Sequence, residues 1–181
     1  MSLLTLYSDP GHLIRRLQQI AVAIFIEEVG EKSITPLQYG AMVAIRECPD
    51  LDITRLSYLL GQDRSTLGGA IKRLVGKGWI RRVNNPGDKR AKCLRITQKG
   101  TDVLTRVEPT IVRVRERILA PISNSDQKVL LDILVRLVTL NNSSSRAPIA
   151  AVEDVISQEK AVSKSKRGRR RRYSIEGTAT S

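Results

Sequence analysis

Aromatic side chains and histidine are scarce in this chain of 181 residues, which contains one Phe, one Trp, four Tyr and one His. Proteins that bind single-stranded nucleic acid stack bases on aromatic rings, so this composition argues against that class of partner. The two cysteines, Cys48 and Cys93, stand far apart without metal-ligand spacing, and a single histidine argues against a zinc site. We therefore predict a reduced, intracellular protein without a metal or another cofactor.

Long apolar runs and catalytic motifs are also missing. The longest apolar run, Ile20 to Ile26, is too short to cross a bilayer, and the N-terminus lacks the features of a signal peptide. The sequence shows no nucleophile paired with a base, no recognisable carboxylate pair and no phosphate-binding glycine loop. We expect a cytoplasmic protein that is not an enzyme and has no membrane partner.

Positive charge is what the chain has in excess, with 31 Lys and Arg against 18 Asp and Glu and a formal net charge of +13. A balance this basic favours polyanionic partners, either nucleic acid or an acidic membrane surface. Residues 1–140 hold 22 basic and 14 acidic residues, and residues 141–181 hold 9 and 4. Because the excess is not confined to the tail and aromatic residues are few, double-stranded DNA is the favoured partner.

Capping residues and apolar periodicity predict four helices in the first part of the chain. The predicted ranges are Asp9 to Val29, Thr35 to Glu47, Asp52 to Leu60 and Asp63 to Lys77, and each of the last three starts at a capping residue. Gly61 and Gln62 leave only a tight turn between the third and fourth helices. Two short helices joined in this way form a helix-turn-helix.

The fourth helix has two contrasting faces. Its apolar residues recur at helical spacing and predict a buried stripe of Leu67, Ala70, Ile71 and Leu74. The opposite face is small, polar and basic, and it consists of Ser65, Gly68, Gly69, Lys72 and Gly76, with Thr66 and Arg73 beside it. Three glycines in an exposed helix cost roughly 1 kcal/mol each relative to alanine. That cost makes sense if another surface comes very close to this face.

A β-hairpin is predicted after this helix. Its strands run from Trp79 to Val83 and from Lys92 to Ile96, with turn residues from Asn84 to Asp88 between them. A helix-turn-helix followed by a hairpin is a winged helix. The predicted fold class is therefore mainly α with a small β-hairpin wing, a winged helix-turn-helix embedded in a helical dimerisation domain.

Two further helices are predicted beyond Thr97, which can cap the first of them. That helix has a coiled-coil seam of Leu104, Val107, Ile111, Val114 and Ile118, which predicts packing against another helix, within one chain or between subunits. Pro109 should kink it and Pro121 should end it. Ser123 or Ser125 caps the last helix, whose apolar face comprises Leu130, Ile133, Leu134, Leu137 and Val138.

The composition changes to that of a linker after Leu140, and seven of the nine residues from Lys164 to Arg172 are basic. We therefore divide the chain into an N-terminal dimerisation helix, a DNA-binding winged helix, C-terminal dimerisation helices and a disordered basic tail. The corresponding ranges are 1–34, 35–97, 98–140 and 141–181.

Several short motifs resemble the MarR family of bacterial transcriptional regulators across residues 13–140. The most specific are DRST at the start of the fourth helix, KGWI at its end, GDKR at the wing tip and LRITQKG after the wing. The resemblance implies a cytoplasmic, nucleoid-associated homodimer that binds a palindromic operator on double-stranded DNA, and in many members repression that a small aromatic ligand relieves. The strings PGHLIRRLQQ and TPLQY are most similar to regulators of aromatic-acid breakdown, whose ligand would be an aromatic or heteroaromatic acid or its coenzyme A thioester.

The resemblance also implies roles for individual residues. Ser65, Thr66 and Arg73 would contact the major groove or its phosphates, and Arg64 would approach the DNA backbone. In the wing, Arg90 would enter the minor groove, Asp88 would orient it through a salt bridge, and Lys89 lies between them. Gly68 and Gly69 depart from the family pattern of longer polar side chains, so Lys72, Arg73 and the wing are expected to carry more of the binding.

The first helix carries a second candidate site. His12, Arg15, Arg16 and Gln19 form a polar face on which an arginine could pair with a ligand carboxylate. The aromatic ring of the ligand would then pack beside Phe25, Tyr39 or Met42. The alternative interpretation is a polar helix face that forms salt bridges across a dimer interface.

Two further alternatives stay open from the sequence. The glycine-lined helix and the basic tail would also permit an architectural, nucleoid-type protein that binds duplex DNA without choosing a sequence. Cys48 and Cys93 could sense oxidants, although relatives that do so use a cysteine near the start of the first helix, where this chain has none.

Overall fold

The computed structural model describes residues 3–30, 34–85 and 88–150, and for residues 88–91 it describes the backbone alone. The elements within these ranges are α1 (Leu3–Tyr7), α2 (Pro10–Val29), α3 (Pro36–Glu47), α4 (Ile53–Leu60), α5 (Arg64–Gly76), β1 (Ile80–Asn85), β2 (Asp88–Ile96), α6 (Gln98–Leu119), α7 (Asn124–Leu140) and a 3-10 turn (Asn142–Ser144). None of the helices in this part of the chain has the length and apolar character needed to span a bilayer. The structure confirms a mainly helical fold with a two-stranded wing.

Side-chain caps begin six of the helices, and all of these caps except Asp9 are ones that the sequence indicates. An oxygen of each cap accepts a hydrogen bond from a backbone amide three residues later, and the caps are Asp9, Thr35, Asp52, Asp63, Thr97 and Ser123. At Thr35 the arrangement is reciprocal, because Gln38 accepts a hydrogen bond from the backbone amide of Thr35. These caps satisfy amides that would otherwise lack partners, and they explain why the predicted helix starts are confirmed.

The region predicted to bind DNA comprises α3, α4, α5 and the β1–β2 hairpin, and we name it the DNA-binding lobe. This lobe has a fully buried core. Its largest inaccessible side chains are Met42, Ile45, Leu51, Leu56, Leu67, Ile71, Leu74 and Ile80. Gly61 ends α4 in the left-handed conformation with φ of 58°, and this allows α5 to begin three residues later. The helix-turn-helix predicted from the spacing is therefore present.

The hairpin is longer than predicted. It pairs antiparallel from Ile80 opposite Ile96 to Asn84 opposite Lys92. The expectation that Asn84, Asn85 and Asp88 are turn residues was wrong, because a register shift between Asn84 and Asn85 lets pairing continue to Asp88. The start of the first strand also moves, from Trp79 to Ile80.

The seam of α6 packs within one chain. Leu104, Val107 and Val114 are buried, and Ile111 and Ile118 pack against the same core. Helices α2 and α6 form the most extensive helix pair in the described residues, and α6 continues through Pro109 to Leu119. The predicted helix packing is thus confirmed, with α2 of the same chain as the partner of α6.

Other apolar residues remain uncovered. Helix α7 has no buried residue, and more than a third of the side chain is exposed at Val129, Leu131, Ile133, Val135, Leu137, Val138 and Leu140. The same holds for Leu3, Leu4, Leu6 and Tyr7 of α1 and for Leu13, Ile14, Leu17 and Ile20 of α2. In α2, the buried residue lies in the second half of the helix, where Phe25 enters the core.

The ten residues after α7 return to the DNA-binding lobe. The amide of Ala150 donates to the carbonyl oxygen of Tyr58 in α4 at 3.0 Å. The sequence places these residues in a disordered tail, whereas residues 141–150 form a turn that contacts α4. The remaining part of that tail, 151–181, lies outside the described residues.

Candidate DNA-binding interface

The N-terminus of α5 is held by Asp63. Its carboxylate accepts a hydrogen bond from the amide of Thr66 at 2.8 Å. Hydrogen bonds from the hydroxyl and the amide of Thr66 lower the pKa of Asp63 below its ordinary value of 3.8. A charged carboxylate at this position also stabilises the positive end of the helix dipole.

The two faces of α5 differ as the sequence predicts. Leu67, Ile71 and Leu74 are completely inaccessible to solvent, whereas the predicted contact residues Arg64, Ser65, Thr66, Lys72 and Arg73 are all exposed. The helix itself contains three cations and no carboxylate. Its outer face is thus a positively charged surface supported by a rigid apolar core.

Gly68 and Gly69 lie half-exposed in the middle of this outer face. A Cβ atom at Gly68 would lie 3.9 Å from the nearest atom, Cδ1 of Ile53, and one at Gly69 would lie 3.7 Å from a guanidinium nitrogen of Arg73. Both are ordinary van der Waals separations, so internal packing leaves room for a methyl group at each position. The absence of these two side chains therefore needs a reason outside the folded chain.

The base of the wing is fixed to the loop between α3 and α4. Arg95 in β2 donates two hydrogen bonds to the carboxylate of Asp50, at 2.6 and 2.7 Å, and these bonds raise the pKa of Arg95. Asp50 adopts a positive φ of 67° beside this contact. The adjacent amide of Leu94 donates to the carbonyl oxygen of Leu51 at 2.8 Å. These contacts hold the hairpin in a defined direction relative to α5.

The wing tip carries the remaining predicted DNA contacts. The backbone of Asp88, Lys89 and Arg90 forms the start of β2. The predicted salt bridge between Asp88 and Arg90 concerns side chains that lie outside the described residues. The structure therefore locates the tip but leaves the roles of its side chains as predictions.

A second basic surface lies between the wing and the start of α4. Arg82 and Lys92 line a crevice of about 400 Å³ together with Asp52, Ile53 and Thr54. The predicted contacts left out Arg82, which accompanies Lys92 in this crevice. Their proximity follows from the strand register, since Arg82 pairs with Leu94 and Asn84 with Lys92, which places Arg82 and Lys92 on one face. Alternation along the two predicted strands could have revealed that shared face.

The predicted ligand-binding residues separate into two groups in the structure. His12 is half-buried with its ring edge-on to Tyr7 at 5.6 Å, whereas Arg15, Arg16 and Gln19 are exposed. Within this polar group, the guanidinium of Arg16 donates to the amide oxygen of Gln19 at 3.0 Å.

The apolar group lies deeper and farther along the chain. Phe25 and Met42 belong to the core, and Tyr39 is half-buried with its ring 6.4 Å from that of Phe25. Burial, followed by the charge of Glu108, raises the pKa of Tyr39. His12 and Phe25 are separated by about 20 Å along α2, so one small ligand does not contact both of these residues within a single chain.

A crevice of about 410 Å³ lies between α2 and the DNA-binding lobe. Its lining residues are Gln18, Val22, Thr35, Pro36, Leu37, Gly40, Leu60 and Gln62. Gln18 lies one helical turn beyond Arg15 and Val22 one turn beyond Gln19, so the polar group borders this crevice. The predicted location between α2 and the lobe therefore contains a cavity, but its walls are formed by other residues.

Both cysteines are buried. Burial, together with the charges of Asp50 and Asp52, raises the pKa of the Cys93 thiol. A raised pKa reduces the thiolate fraction that reacts with oxidants, which favours a packing role for Cys93. Among the residues that the structure describes, no cluster of three or more potential metal ligands is found.

The known proteins to which this chain is similar are transcriptional regulators. The model of the MarR family matches residues 34–92. A protein assigned as a transcriptional regulator for the hcr operon of Thauera aromatica is 30% identical over 128 residues, which cover 70% of this chain and 77% of that protein.

Two solved structures share the fold. The PcaV transcriptional regulator from Streptomyces coelicolor, in complex with its natural ligand, has a TM-score of 0.71 and 33% identity, covering 77% of this chain and 98% of that one. BpsR from Bordetella bronchiseptica, whose DNA binding is regulated by 6-hydroxynicotinic acid, has a TM-score of 0.69 and 21% identity, covering 72% and 93%.

Proposed function

Because the chain belongs to the MarR family of transcriptional regulators, we propose that it acts as a homodimeric repressor that binds a palindromic operator and leaves it when a small aromatic acid binds. The observation that carries this proposal is the outer face of α5. That face is cationic, lacks side chains at Gly68 and Gly69, and lies over a core that is fully inaccessible to solvent. A helix of this kind can enter a major groove without changing its own packing.

Each contact in the proposed complex has a distinct task. Arg64 and Lys72 neutralise phosphates, and Ser65, Thr66 and Arg73 reach base edges or neighbouring phosphates. Gly68 and Gly69 allow the backbone of α5 to approach the groove closely. The wing, held by Asp50 and Arg95, directs Lys89 and Arg90 towards the adjacent minor groove.

The uncovered apolar surfaces support a dimer. Exposed leucine, isoleucine and valine side chains on α1, α2 and α7 are unfavourable in water, and a second copy of the chain would cover them. Two recognition helices about 34 Å apart meet successive major grooves on one side of the duplex. The dimer thereby converts two weak half-site contacts into recognition of a palindrome.

The crevice beside α2 supports ligand-dependent release. It separates a helix with exposed apolar residues from the DNA-binding lobe, so a molecule bound there would alter the angle between them. Arg15 at its border supplies a cation for a carboxylate. An aromatic acid or its coenzyme A thioester would release the dimer from DNA only under one condition. It must bind more tightly to a conformation in which the two copies of α5 have a different separation.

Selection of bound sequences from a pool of random duplexes, followed by fluorescence anisotropy on the selected duplex, tests the DNA-binding part. We expect a shared palindromic sequence. Lys72→Ala should weaken binding and reduce the salt slope by about one per half-site. Lys128→Ala, an exposed lysine on α7, is the matched control and should bind normally. Recovery of duplexes without any common sequence would instead support the architectural alternative.

Titration calorimetry tests the ligand-binding part with hydroxybenzoates, hydroxycinnamates, hydroxynicotinates and their coenzyme A thioesters. At least one compound should bind the full chain and lower its affinity for the selected duplex. Arg15→Ala should weaken the binding of that compound while leaving DNA binding intact. No heat of binding from any of these compounds would support the alternative that the polar face of α2 serves the dimer.

A further inference from the structure

Residues 142–150, which we name the strap, run from the end of α7 to α4. Asn142 closes the strap on itself through two hydrogen bonds to the backbone of Ile149. Its side-chain amide donates to the carbonyl oxygen of Ile149 at 2.9 Å, and its side-chain oxygen accepts from the amide of Ile149 at 2.8 Å. The two ends of the strap are therefore held together in a defined conformation.

One side of the strap lies against the end of α7. Asn141 joins the two, because its side-chain amide donates to the carbonyl oxygen of Leu137 in α7 at 2.8 Å. The strap and the last turn of α7 also form the walls of one crevice of about 350 Å³. The residues that line it are Val138, Thr139, Asn142, Ile149 and Ala150.

The other side of the strap lies against the turn between α4 and α5. The amide of Ala150 donates to the carbonyl oxygen of Tyr58 in α4 at 3.0 Å, and Ala150 packs against the core. A Cβ atom at Gly61 would come within 2.8 Å of Cγ1 of Ile149, so the isoleucine covers this turn. Because α5 begins three residues after Gly61, the strap contacts the segment that sets where α5 starts.

Helix α7 has few other attachments to its own chain. It has no buried residue, and among the described helices and strands its extensive contacts are confined to the 3-10 turn that follows it. At its first turn, the side chain of Gln127 donates to the carbonyl oxygens of Leu119 and Ile122, both at 3.2 Å. Helix α7 is thus fixed to the end of α6 at one end and, through the strap, to α4 at the other.

The position of the strap matters because α7 and α5 have different tasks in the proposed dimer. The exposed apolar side chains of α7 belong to the surface that a second copy would cover, whereas α5 would enter the major groove. A short, hydrogen-bonded connection between them carries the geometry of the dimer to the recognition helix. Leu60 and Gln62, on either side of Gly61, also line the crevice beside α2, so the strap and that crevice border the same turn.

We propose that the strap is an internal brace, which links α7 to the turn before α5 and thereby fixes the separation of the two recognition helices in the dimer. The brace rests on the proposed function, since a separation exists only if two copies bind one operator. Its effect is on the choice of half-site spacing, because a rigid link penalises operators whose half-sites lie at another distance.

Operators of altered spacing test the brace. One or two base pairs are inserted between the half-sites of the selected duplex, and each insertion moves one half-site by about 3.4 Å and turns it by about 35°. One inserted pair should weaken binding of the natural full chain by about hundredfold, since the second half-site is lost. In the full-length double variant Asn142→Ala and Ile149→Ser, the loss should be about tenfold or less. Ser144→Ala changes an exposed residue of the same segment and should behave like the natural chain.

The outcomes separate the brace from DNA binding itself. The same spacing dependence in the natural chain and in the double variant would overturn the brace and leave the proposed function standing. Loss of binding by the double variant at every spacing would also overturn it, because the strap would then support the lobe and not the spacing. Failure of the natural chain to bind any duplex would overturn the proposed function.

A second measurement tests the contact between the strap and the turn without DNA. Gly61→Ala should lower Tm both by its positive φ of 58° and by overlap with Ile149, and Ile149→Ala removes the overlap alone. The fall in Tm caused by Gly61→Ala should therefore be smaller by about 4 °C in the Ile149→Ala background, at equal protein concentration. Gly78→Ala is the matched control, because Gly78 has φ of 71° and its Cβ would meet no atom within 4 Å. Equal falls for Gly61→Ala in both backgrounds would show that Ile149 does not cover the turn, and the brace would be wrong.

Discussion

Replacing Gly68 and Gly69 by alanine should make the protein more stable and its DNA binding weaker. Both glycines lie inside α5, and a Cβ atom at either one meets its nearest neighbour at 3.9 or 3.7 Å, which is ordinary contact. Alanine is favoured over glycine in a helix by about 1 kcal/mol, so the double variant should gain about 2 kcal/mol in the free energy of unfolding. For a chain of this size that corresponds to a rise in Tm of roughly 4 to 8 °C at equal protein concentration.

The opposite effect is expected on DNA. If the backbone of α5 approaches the major groove at these glycines, each new methyl group occupies the space between protein and bases. Affinity for the selected duplex should fall by about tenfold per substitution, which corresponds to about 1.4 kcal/mol. Calorimetric unfolding measures the first effect and fluorescence anisotropy at fixed salt measures the second.

Gly40→Ala provides the matched control. Gly40 lies inside α3, and its Cβ atom would meet Cδ2 of Leu60 at 3.7 Å, so the same gain in helix stability is expected without a change at the DNA surface. Normal or tighter DNA binding by the double variant would refute the close approach of α5. An unchanged Tm would show that internal packing, and not DNA, requires the two glycines.

Three other substitutions give separate expectations. Arg90→Ala should weaken operator binding and reduce its salt dependence, with little change in the free energy of unfolding. Unchanged affinity in a titration at fixed salt would show that Arg90 does not contact the DNA. Gly100→Ala should destabilise the fold by about 3 kcal/mol or more, because the new Cβ would overlap the carbonyl oxygen of Trp79. Gly76→Ala should not, because its new Cβ would have no neighbouring atom within 4 Å. Asp63→Asn should keep the cap but remove its pH dependence. The folded pKa of Asp63 lies below 3.8, so the natural chain should lose the stabilisation by this carboxylate as pH falls from about 4 through that pKa. Urea unfolding measures the difference in free energy of unfolding between the natural chain and Asp63→Asn at each pH. A difference that stays constant across this range would contradict the assignment.

Local chemistry explains why most of the fold could be predicted. Each helix start carries its own signal, such as the Thr35 hydroxyl or the Asp63 carboxylate, and these groups act on amides only three residues away. The buried stripe of α5 follows from a helical period that is visible in one continuous segment of the sequence. The outer face that opposes it could therefore be assigned to individual residues before the structure was known.

Contacts between distant segments account for what the sequence left undecided. The coiled-coil spacing from Leu104 to Ile118 showed that α6 needs a helical partner, but only the tertiary structure identifies α2 as that partner. The extension of the wing depends on a register shift at Asn84 and Asn85, and these residue types do not predict such a shift. Asparagine favours turns locally, and strand pairing outweighed that preference here.

The candidate ligand site shows the same limit. The polar face of α2 was visible from spacing alone, but the wall of the crevice that faces α2 comes from α3, its cap Thr35, α4 and the turn that follows α4. Phe25 and Met42 were expected beside a ligand because they are apolar and near the right helices, whereas both are used to fill the core. The contact between residues 141–150 and α4 was likewise not predicted, because these residues have the composition of a linker.

Hydroxyl-radical footprinting of the natural chain on the selected duplex tests the central claim most directly. The account predicts two protected segments related by the palindrome, centred about 34 Å apart on one side of the DNA, with protection lost in the Gly68→Ala and Gly69→Ala double variant. Uniform protection without symmetry, or the same two segments in the double variant, would contradict the assignment of α5 as the helix that enters the major groove.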